Sequence, residues 1–281
     1  MISGKTRLAG IFGQPLGHSF SPRMHNYVFE KSGLDITYAA YPCKEEHLPQ
    51  AISALRIFPF VGVNVTLPYK EKVLPFLDEL SPLSQAIGAV NTIAVREGKL
   101  LGTTTDATGF LKGLLNAQVH PNQMNIAVIG SGGTARTLAF ALCIEHQPAS
   151  LTFFARNETR MAELTEELAL KTGFTATSHQ LSNFPAHSSS FQLIIQATSV
   201  GMSPHTEESP LPASALYPHQ ILCDVIYNPQ ETLLLQQARA KGCQVIGGLP
   251  MLAYQGMASA EFWLQTSLPE NLYFEALQQQ L

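Results

Sequence analysis

The chain has few charged residues, few cysteines and no long apolar run, and each shortage excludes a class of protein. Charged residues make up 14% of the 281 residues and the formal net charge is −4, so no basic surplus exists for a nucleic-acid backbone. No Lys/Arg run suits an anionic membrane surface, and no apolar segment is long enough to cross a bilayer. The composition therefore predicts a globular protein without nucleic-acid or membrane partners.

The four cysteines are scattered and form no CxxC pair, which favours buried reduced thiols over a disulfide or a metal site. They are Cys43, Cys143, Cys223 and Cys243. The first residues, Met1–Lys5, lack the apolar core of a signal peptide, so we expect a cytoplasmic protein. A homodimer is compatible with the sequence, which does not fix the oligomeric state.

The first third of the chain alternates strand and helix patterns, which predicts a largely parallel sheet. Ser21 followed by Pro22 predicts a helix that begins with Ser21 as its N-cap. A hairpin around Glu97-Gly98 adds antiparallel strands, so the sheet should be mixed. Asp106 is a plausible N-cap of the next helix. The predicted strands are Leu8–Phe12, Ile36–Tyr41, Phe60–Val65, Val90–Val95 and Lys99–Gly102.

A polar stretch at Gln118–Asn125 marks a break, after which strands and helices alternate regularly. This pattern predicts a second, doubly wound α/β domain. Its predicted strands are Asn125–Gly130, Ser150–Ala155, Phe174–Thr177, Phe191–Gln196, Ile221–Val225 and Gln244–Ile246. Two helices, Met251–Gln265 and 267–281, are expected to complete the chain.

Lys70 follows a buried strand that ends before Pro68, which cannot donate to a sheet ladder. Open α/β sheets bind their ligands at this end of their strands. A partly desolvated ammonium there can move protons near neutral pH. Asp106 also follows a strand, so the two side chains can converge, and a carboxylate beside a lysine favours and orients its charged form.

Gly130-x-Gly132-Gly133 lies between a strand and a helix, the arrangement that brings a pyrophosphate to a helix N-terminus. The next strand ends without an acid and is followed by Arg156 and, one helical turn later, Arg160. Two guanidiniums suit a 2′-phosphate, which predicts NADP rather than NAD. Glu158 argues the other way, since an acid near this strand end could instead bind a free 2′-hydroxyl.

Several motifs occur in a fixed order and are together far more specific than the glycine turn. They are His18–Pro22, Asn64–Lys70, Gly88–Thr92, Thr105-Asp106, Ala197–Met202, Asp224-x-x-Tyr227-x-Pro229 and Met251-Leu252-x-x-Gln255. In these motifs the chain resembles the shikimate dehydrogenase family along essentially its whole length. The resemblance implies NADPH-dependent, reversible reduction of 3-dehydroshikimate to shikimate, on the route to aromatic amino acids.

The resemblance also implies a role for each matching residue. Lys70 and Asp106 would form the catalytic pair. The implied substrate-binding residues are Ser19 and Ser21 on the carboxylate, Thr66, Asn91 and Gln255 on ring hydroxyls, and Tyr227. The implied cofactor-binding residues are Gly130, Ser131, Gly132, Gly133, Thr134, Ala135, Ala155, Arg156, Asn157, Arg160, Thr198, Gly248 and Met251. NADP is the expected cofactor, and no metal is expected.

The implied fold is α/β with two domains and the active site in the cleft between them. A mixed, mainly parallel substrate domain would comprise residues 1–105, completed by the returning helices of residues 247–281. A doubly wound Rossmann domain for NADP would comprise residues 106–246. The strand pattern agrees with this division, since it predicts a mixed sheet first and a doubly wound sheet second.

The chain departs from the family pattern at a few positions. Thr104 stands where Asn is usual before Thr-Asp, and a hydroxyl cannot present a separate donor and acceptor as an amide does. If Thr104 faces the substrate, a contact is weakened or replaced by water, which would change substrate affinity and could change substrate identity. Gln196, Ala155 and Gly256 are further departures, and none of them removes a proton-transfer group.

Other functions remain open. A quinate/shikimate dehydrogenase with broader substrate or cofactor use is the nearest alternative. A methylenetetrahydrofolate-type dehydrogenase would not account for the Ser19/Ser21 loop together with Lys70 and Asp106. A non-catalytic dinucleotide-binding regulator would not need an intact pair. His18 is a candidate general base, although a loop histidine without an acidic neighbour in sequence is more often structural.

Overall fold

The computed structural model describes residues 2–17 and 19–279, and the chain divides into two compact units. The first unit comprises Met1–Gly109 and Ala253–Leu281, and the second comprises Phe110–Leu252. The domain boundaries predicted after residues 105 and 246 lie close to the starts of the two helices within which the units divide. His18, the candidate general base, lies outside the described residues.

The first unit contains a mixed sheet. Its strands are β1 (Arg7–Gly13), β2 (Ile36–Pro42), β3 (Phe60–Val65), β4 (Glu79–Leu80), β5 (Thr92–Arg96) and β6 (Lys99–Thr103). Within the described residues their order is β2-β1-β3-β5-β6-β4. β1 pairs in parallel with β2 and β3, whereas β3–β5 and β5–β6 are antiparallel. The predicted parallel start and following hairpin are confirmed; the two-residue β4 has too little sequence for a pattern to predict it.

The helices of the first unit begin differently from the prediction at two functional residues. They are α1 (Ser21–Lys31), α2 (Leu48–Ala54), α3 (Pro82–Ile87), the start of α4 (Thr105–Asn116), the later part of α9 (Leu249–Leu264), and α10 (Glu270–Gln278). Ser21 as N-cap was wrong: it is the first residue of α1, and Phe20, whose side chain has no acceptor for a cap bond, stands at the N-cap position. Asp106 as N-cap was also wrong: it lies inside the first turn of α4, where Asn91 Oδ1 accepts the Thr105 N–H at 2.7 Å.

The second unit contains a parallel sheet. Its strands are β7 (Asn125–Ile129), β8 (Ser150–Ala155), β9 (Thr177–Gln180), β10 (Leu193–Gln196), β11 (Ile221–Asp224) and β12 (Gln244–Ile246). Within the part of the chain that the structure describes, the order is β12-β11-β10-β7-β8-β9, that of a doubly wound dinucleotide-binding sheet. The strand predicted at Phe174–Thr177 was misplaced. Gly173 ends the preceding helix with φ +74°, and the chain reaches the sheet only where Thr177 pairs with Thr152.

Helices cover this second sheet, and apolar side chains fill the space between them. The helices of this unit are the later part of α4, α5 (Gly133–Glu145), α6 (Glu158–Thr172), α7 (Phe184–His187), α8 (Leu233–Ala240) and the first turn of α9. Phe154 packs edge-on against Phe184 and Phe191, with ring centroids 5.1 and 5.6 Å away. Burial of such aromatic rings is a main source of stability in a sheet–helix core. The predicted two-part α/β fold with a Rossmann-type sheet is confirmed.

The cysteines agree with the expectation of buried, reduced thiols. Each of the four cysteines is buried as a free thiol. No helix among residues 2–17 and 19–279 is both long and apolar enough to cross a membrane.

Candidate active site and dinucleotide site

Lys70 lies on a tight loop directly after β3. The Tyr69 N–H donates to Thr66 O at 2.9 Å, which closes the turn, and the Tyr69 ring is buried beneath it. The Lys70 carbonyl accepts the Val90 N–H at 2.9 Å. The lysine backbone is therefore held at both the end of β3 and the segment that leads to Asn91, so its side chain starts from a fixed point.

Lys70 Nζ lies 2.5 Å from Asp106 Oδ2, and the two side chains form an ion pair. They are only 26% and 17% exposed, so the pair is shielded more than a surface ion pair, whose net worth is small. Asp106 lies in the first turn of α4, where a helix favours negative charge. The predicted convergence of these two residues, far apart in sequence, is therefore present in the structure.

A buried cluster of polar side chains joins four elements of the first unit, and one of its members, Thr105, directly precedes Asp106. We call Asn64 of β3, Thr92 of β5, Thr105 of α4 and Ser259 of α9 the buried polar node. Ser259 Oγ lies 2.9 Å from Asn64 Nδ2, from Thr92 Oγ1 and from Thr105 Oγ1. Ser259 and Thr92 have no exposed surface. Because Thr105 precedes Asp106, the node holds the start of the helix that carries the carboxylate.

Sequence reasoning assigned no role to Ser259, and it included Thr92 only as the last residue of a motif. Ser259 lies in a mostly apolar helix. The available signal was its spacing of four residues from Gln255, which places both on one face of a helix. In the structure the Ser259 hydroxyl donates to the Gln255 carbonyl at 2.8 Å, so the node also holds the turn that carries Gln255.

The predicted substrate-binding residues of the first unit connect to the node. Asn91 is buried, and its Nδ2 lies 3.0 Å from Thr105 Oγ1. Ser21 lies beside Tyr38, whose hydroxyl donates to Asn64 Oδ1 at 2.8 Å. The node thus joins the surroundings of the predicted carboxylate site to the helix that carries Asp106.

Ser19 and Thr66 lie on the loops that follow β1 and β3, whose strands are neighbours in the sheet. The Ser21 N–H donates to Ser19 Oγ at 3.3 Å, so the two serines are held together. The Thr66 N–H donates to Phe12 O at 2.9 Å, which joins the ends of the two strands. Both side chains are partly exposed and available to a ligand.

Thr104, the residue that replaces the usual Asn, is 5% exposed and directly precedes the node residue Thr105. Its hydroxyl has no hydrogen-bond partner among residues 2–17 and 19–279. A nearly buried hydroxyl without a partner in the protein is suited to a partner on a ligand. A contact between Thr104 and the substrate stays a prediction.

The glycine turn of the second unit has the geometry of a phosphate cradle. Gly130 has φ +116°, a conformation that side chains rarely adopt, and its N–H donates to Phe154 O at 2.9 Å. Gly132 precedes α5, and around a Cβ built on Gly132 or Gly133 there is no described atom within 4 Å. The first N–H groups of α5 therefore face open space that fits a pyrophosphate. Ser131, Thr134 and the buried Ala135 complete the predicted turn.

The end of β8 presents two arginines. Ala155 is the last strand residue, and Asn157 caps α6 by accepting the Arg160 N–H at 2.9 Å. Arg156 and Arg160 are exposed, and neither guanidinium bonds another side chain within the described part of the chain. Glu158, the acid that argued for NAD, instead accepts the Gln180 side-chain amide at 2.6 Å. Two unpaired guanidiniums fit a phosphate group.

The remaining predicted cofactor-binding residues lie at the ends of the parallel strands. Thr198 follows β10 and its methyl group packs against Gly130. A Cβ on Gly248 would lie 2.4 Å from Val225 O, so only glycine fits there. Met251 and Gly248 line a cavity together with the buried Asp224. Burial raises the pKa of Asp224 to about 6, although the Ile226 N–H and the Thr232 hydroxyl donate to it.

Tyr227, the one predicted substrate-binding residue in the second unit, follows β11. Its side chain is partly buried, and burial raises the pKa of its phenol. Tyr227 belongs to the second unit, whereas the other predicted substrate-binding residues belong to the first. Its contact with substrate therefore stays a prediction.

Comparison with known proteins adds a family to this geometry. The family model for the shikimate dehydrogenase substrate binding domain matches residues 11–93. A shikimate dehydrogenase (NADP(+)) of Desulforamulus reducens is 37% identical, with 100% of this chain and 97% of the relative covered. Shikimate 5-dehydrogenase from Thermus thermophilus, solved in complex with NADP(H) and shikimate, has a TM-score of 0.87 at 36% identity, over 98% of this chain and 100% of that one. Quinate dehydrogenase from Corynebacterium glutamicum, solved with NAD, has a TM-score of 0.91 at 26% identity, over 98% and 99%.

The doubly wound sheet, the glycine turn and the Lys70–Asp106 pair define the class of dinucleotide-dependent dehydrogenases. Within it, the chain belongs to the shikimate dehydrogenase family, because the identity to its relatives extends over the whole chain. The resemblance predicted from the motifs is confirmed. The roles of individual residues stay predictions.

Proposed function

We propose that this protein catalyses the reversible, NADP-dependent interconversion of shikimate and 3-dehydroshikimate. The observation that carries the proposal is the half-buried ion pair of Lys70 and Asp106, in a chain whose relatives are shikimate dehydrogenases over their full length. This reaction moves a hydride and a proton at one carbon–oxygen bond. It needs one group that holds a proton near the oxygen and a place for the nicotinamide cofactor.

Lys70 is the group that handles the proton. NADPH, when bound, would supply the hydride to the carbonyl carbon of 3-dehydroshikimate, whose oxygen would then carry negative charge. The Lys70 ammonium stabilises that oxygen and donates its proton to it. In the reverse direction the neutral amine removes the proton from the shikimate hydroxyl. Asp106, 2.5 Å away, orients the lysine and offsets its charge.

The polar residues around this pair give the site its preference for a hydroxylated ring acid. The paired Ser19 and Ser21 hydroxyls donate to the substrate carboxylate. Thr66, Asn91 and Gln255 bond the ring hydroxyls. Tyr227 is a further proposed substrate contact.

The second unit fits NADP. The α5 N-terminus with its open glycines receives the pyrophosphate, and Arg156 and Arg160 receive the 2′-phosphate. The cofactor site would be completed by the residues at the strand ends, Asn157, Thr198, Gly248 and Met251. The engagement of Glu158 by Gln180 supports NADP over NAD, because the acid is already bonded within the protein.

A second candidate is a quinate/shikimate dehydrogenase, which the unpaired hydroxyl of Thr104 favours because a different ring substituent could bond it. The test compares kcat/KM for shikimate and quinate, each with NADP⁺ and NAD⁺. The proposal expects shikimate with NADP⁺ to be the best of the four pairs. A higher kcat/KM with quinate would replace it with the second candidate. Cytoplasmic location and a homodimer stay predictions.

A further inference from the structure

Ser259 has a hydrogen-bonding environment that packing alone does not require. It is fully buried on α9, and its hydroxyl oxygen meets polar groups from β3, β5 and α4. A buried hydroxyl costs free energy unless it is hydrogen-bonded, and a small apolar residue would fill the same space. The buried hydroxyl therefore requires an explanation in terms of its hydrogen bonds in the node.

The direction of the hydrogen bonds starts at a group that can only donate. The backbone N–H of Thr105 lies 2.7 Å from Asn91 Oδ1, so this oxygen of Asn91 is its acceptor. The Asn91 amide is thereby oriented, and Nδ2 donates to Thr105 Oγ1 at 3.0 Å. The Thr105 hydroxyl then donates its own hydrogen bond to another group, and Ser259 Oγ is its nearest hydroxyl acceptor at 2.9 Å.

A second path arrives at Ser259 from the other side. Asn64 Oδ1 accepts the Tyr38 hydroxyl, so Asn64 Nδ2 donates to Ser259 Oγ at 2.9 Å. Ser259 uses its own proton on the Gln255 carbonyl at 2.8 Å. Both lone pairs and the proton of Ser259 are thus used.

This arrangement has a consequence at Asn91. Its oxygen accepts from the protein, and one of its two Nδ2 protons goes to Thr105. The other Nδ2 proton is left, so Asn91 faces a ligand as a donor only. A hydroxyl or carbonyl oxygen of the substrate would be its acceptor.

We propose that Ser259 is a positioning residue for substrate binding. As the acceptor of the Thr105 hydroxyl proton, it leaves the Thr105 oxygen to accept from Asn91 Nδ2, and in this way it keeps the Asn91 amide in place. The proposal rests on the proposed function, since it concerns binding of shikimate at that site. It assigns Ser259 no contact with substrate.

The test replaces Ser259 with Ala and measures KM and kcat for shikimate, with Ser84→Ala as the matched control. Ser84 is equally buried in the first unit, but its hydroxyl has no partner within the described residues, so its removal disturbs no network. We expect Ser259→Ala to raise the KM for shikimate about five- to tenfold, the worth of roughly one hydrogen bond, with kcat and the KM for NADP⁺ within about twofold. Ser84→Ala should leave all three within about twofold of wild type.

A double-mutant cycle with Asn91→Ala asks whether Ser259 acts through Asn91. Once the amide is gone, Ser259→Ala should add less than about a twofold increase in KM. Additive effects of the two substitutions, or a KM like that of Ser84→Ala, would overturn the proposal. Ser259→Cys, which keeps a weak acceptor, should lie between wild type and Ala, and it replaces Ser259→Ala if that variant does not fold. A wild-type protein that turns over no shikimate would instead refute the proposed function.

Discussion

Gln180 donates its side-chain amide to Glu158 Oε1 at 2.6 Å, across the loop that follows β8. Glu158 is the residue that the sequence offers as a partner for a free 2′-hydroxyl of NAD. Its carboxylate is bonded to the neighbouring strand, whereas the guanidiniums of Arg156, before α6, and Arg160, in its first turn, have no bonded partner in the described chain. The loop therefore presents positive charge to a ligand.

Cofactor preference should follow these two arginines. We expect Arg156→Ala and Arg160→Ala each to lower kcat/KM for NADP⁺ about 10- to 100-fold, since each removes hydrogen bonds to a charged phosphate. The value for NAD⁺ should change less than about threefold. Arg239→Ala is the matched control, because Arg239 is an exposed arginine of the same unit that pairs with Glu231. Equal losses with both cofactors would show that the arginines do not read the 2′-phosphate.

Thr104 tests whether the first unit's site is the substrate site. We expect Thr104→Asn to keep turnover and to lower the KM for shikimate, because the amide offers both a donor and an acceptor where the hydroxyl of Thr104 has no protein partner. Steady-state kinetics with shikimate at saturating NADP⁺ measures both constants. A raised KM would mean that Thr104 does not face the substrate.

His25 should make the protein less stable in acid. It is fully buried beside Tyr38 and Trp263, with no hydrogen bond to either ring nitrogen within the described residues, and desolvation lowers its pKa to about 3. The unfolded chain therefore binds the proton first as the pH falls below 6.5. The free energy of unfolding should fall by about 1.4 kcal/mol per pH unit from this group between pH 6.5 and 3.

Urea unfolding of wild type and His25→Leu across this pH range measures the His25 contribution as a difference. The unfolding free energy of wild type minus that of the variant should decrease as the pH falls, because only wild type has the buried imidazole. A difference that is constant with pH would contradict the buried, neutral histidine.

Asp224 should act in the opposite direction. Burial raises its pKa to about 6, so the folded protein takes up the proton before the unfolded chain does. The contribution of this group to stability is greatest below pH 3.8 and is lost as the pH rises through 6, by an amount on the order of 3 kcal/mol. Asp224→Asn should remove this dependence because an amide does not titrate. The variant should still fold, since the Thr232 hydroxyl can turn to accept from the new amide. Unchanged pH dependence of urea unfolding in the variant would rule out a buried carboxylate with a raised pKa.

The sequence predicted those features of the molecule that depend on neighbouring residues in the chain. Strand and helix alternation placed the sheets, and the position of Lys70 and Asp106 after strands predicted that they would meet. The node could not be predicted in this way, because Ser259 and Thr92 come from distant, mostly apolar segments and meet only through tertiary packing. The wrong cap at Asp106 has a related cause: α4 already begins at Thr105, whose N–H is accepted by Asn91, a residue remote in sequence.

The most direct test of the account is turnover of shikimate by the purified protein with NADP⁺, beside Lys70→Ala and Lys72→Ala. Lys72 lies two residues away and pairs with Glu45, so its substitution controls for loss of a lysine from the same loop. We expect shikimate-dependent reduction of NADP⁺, a fall of about 1,000-fold in kcat for Lys70→Ala, and less than about twofold change for Lys72→Ala. Activity of Lys70→Ala close to wild type, or no reduction of NADP⁺ with shikimate, would contradict the central role of the Lys70–Asp106 pair.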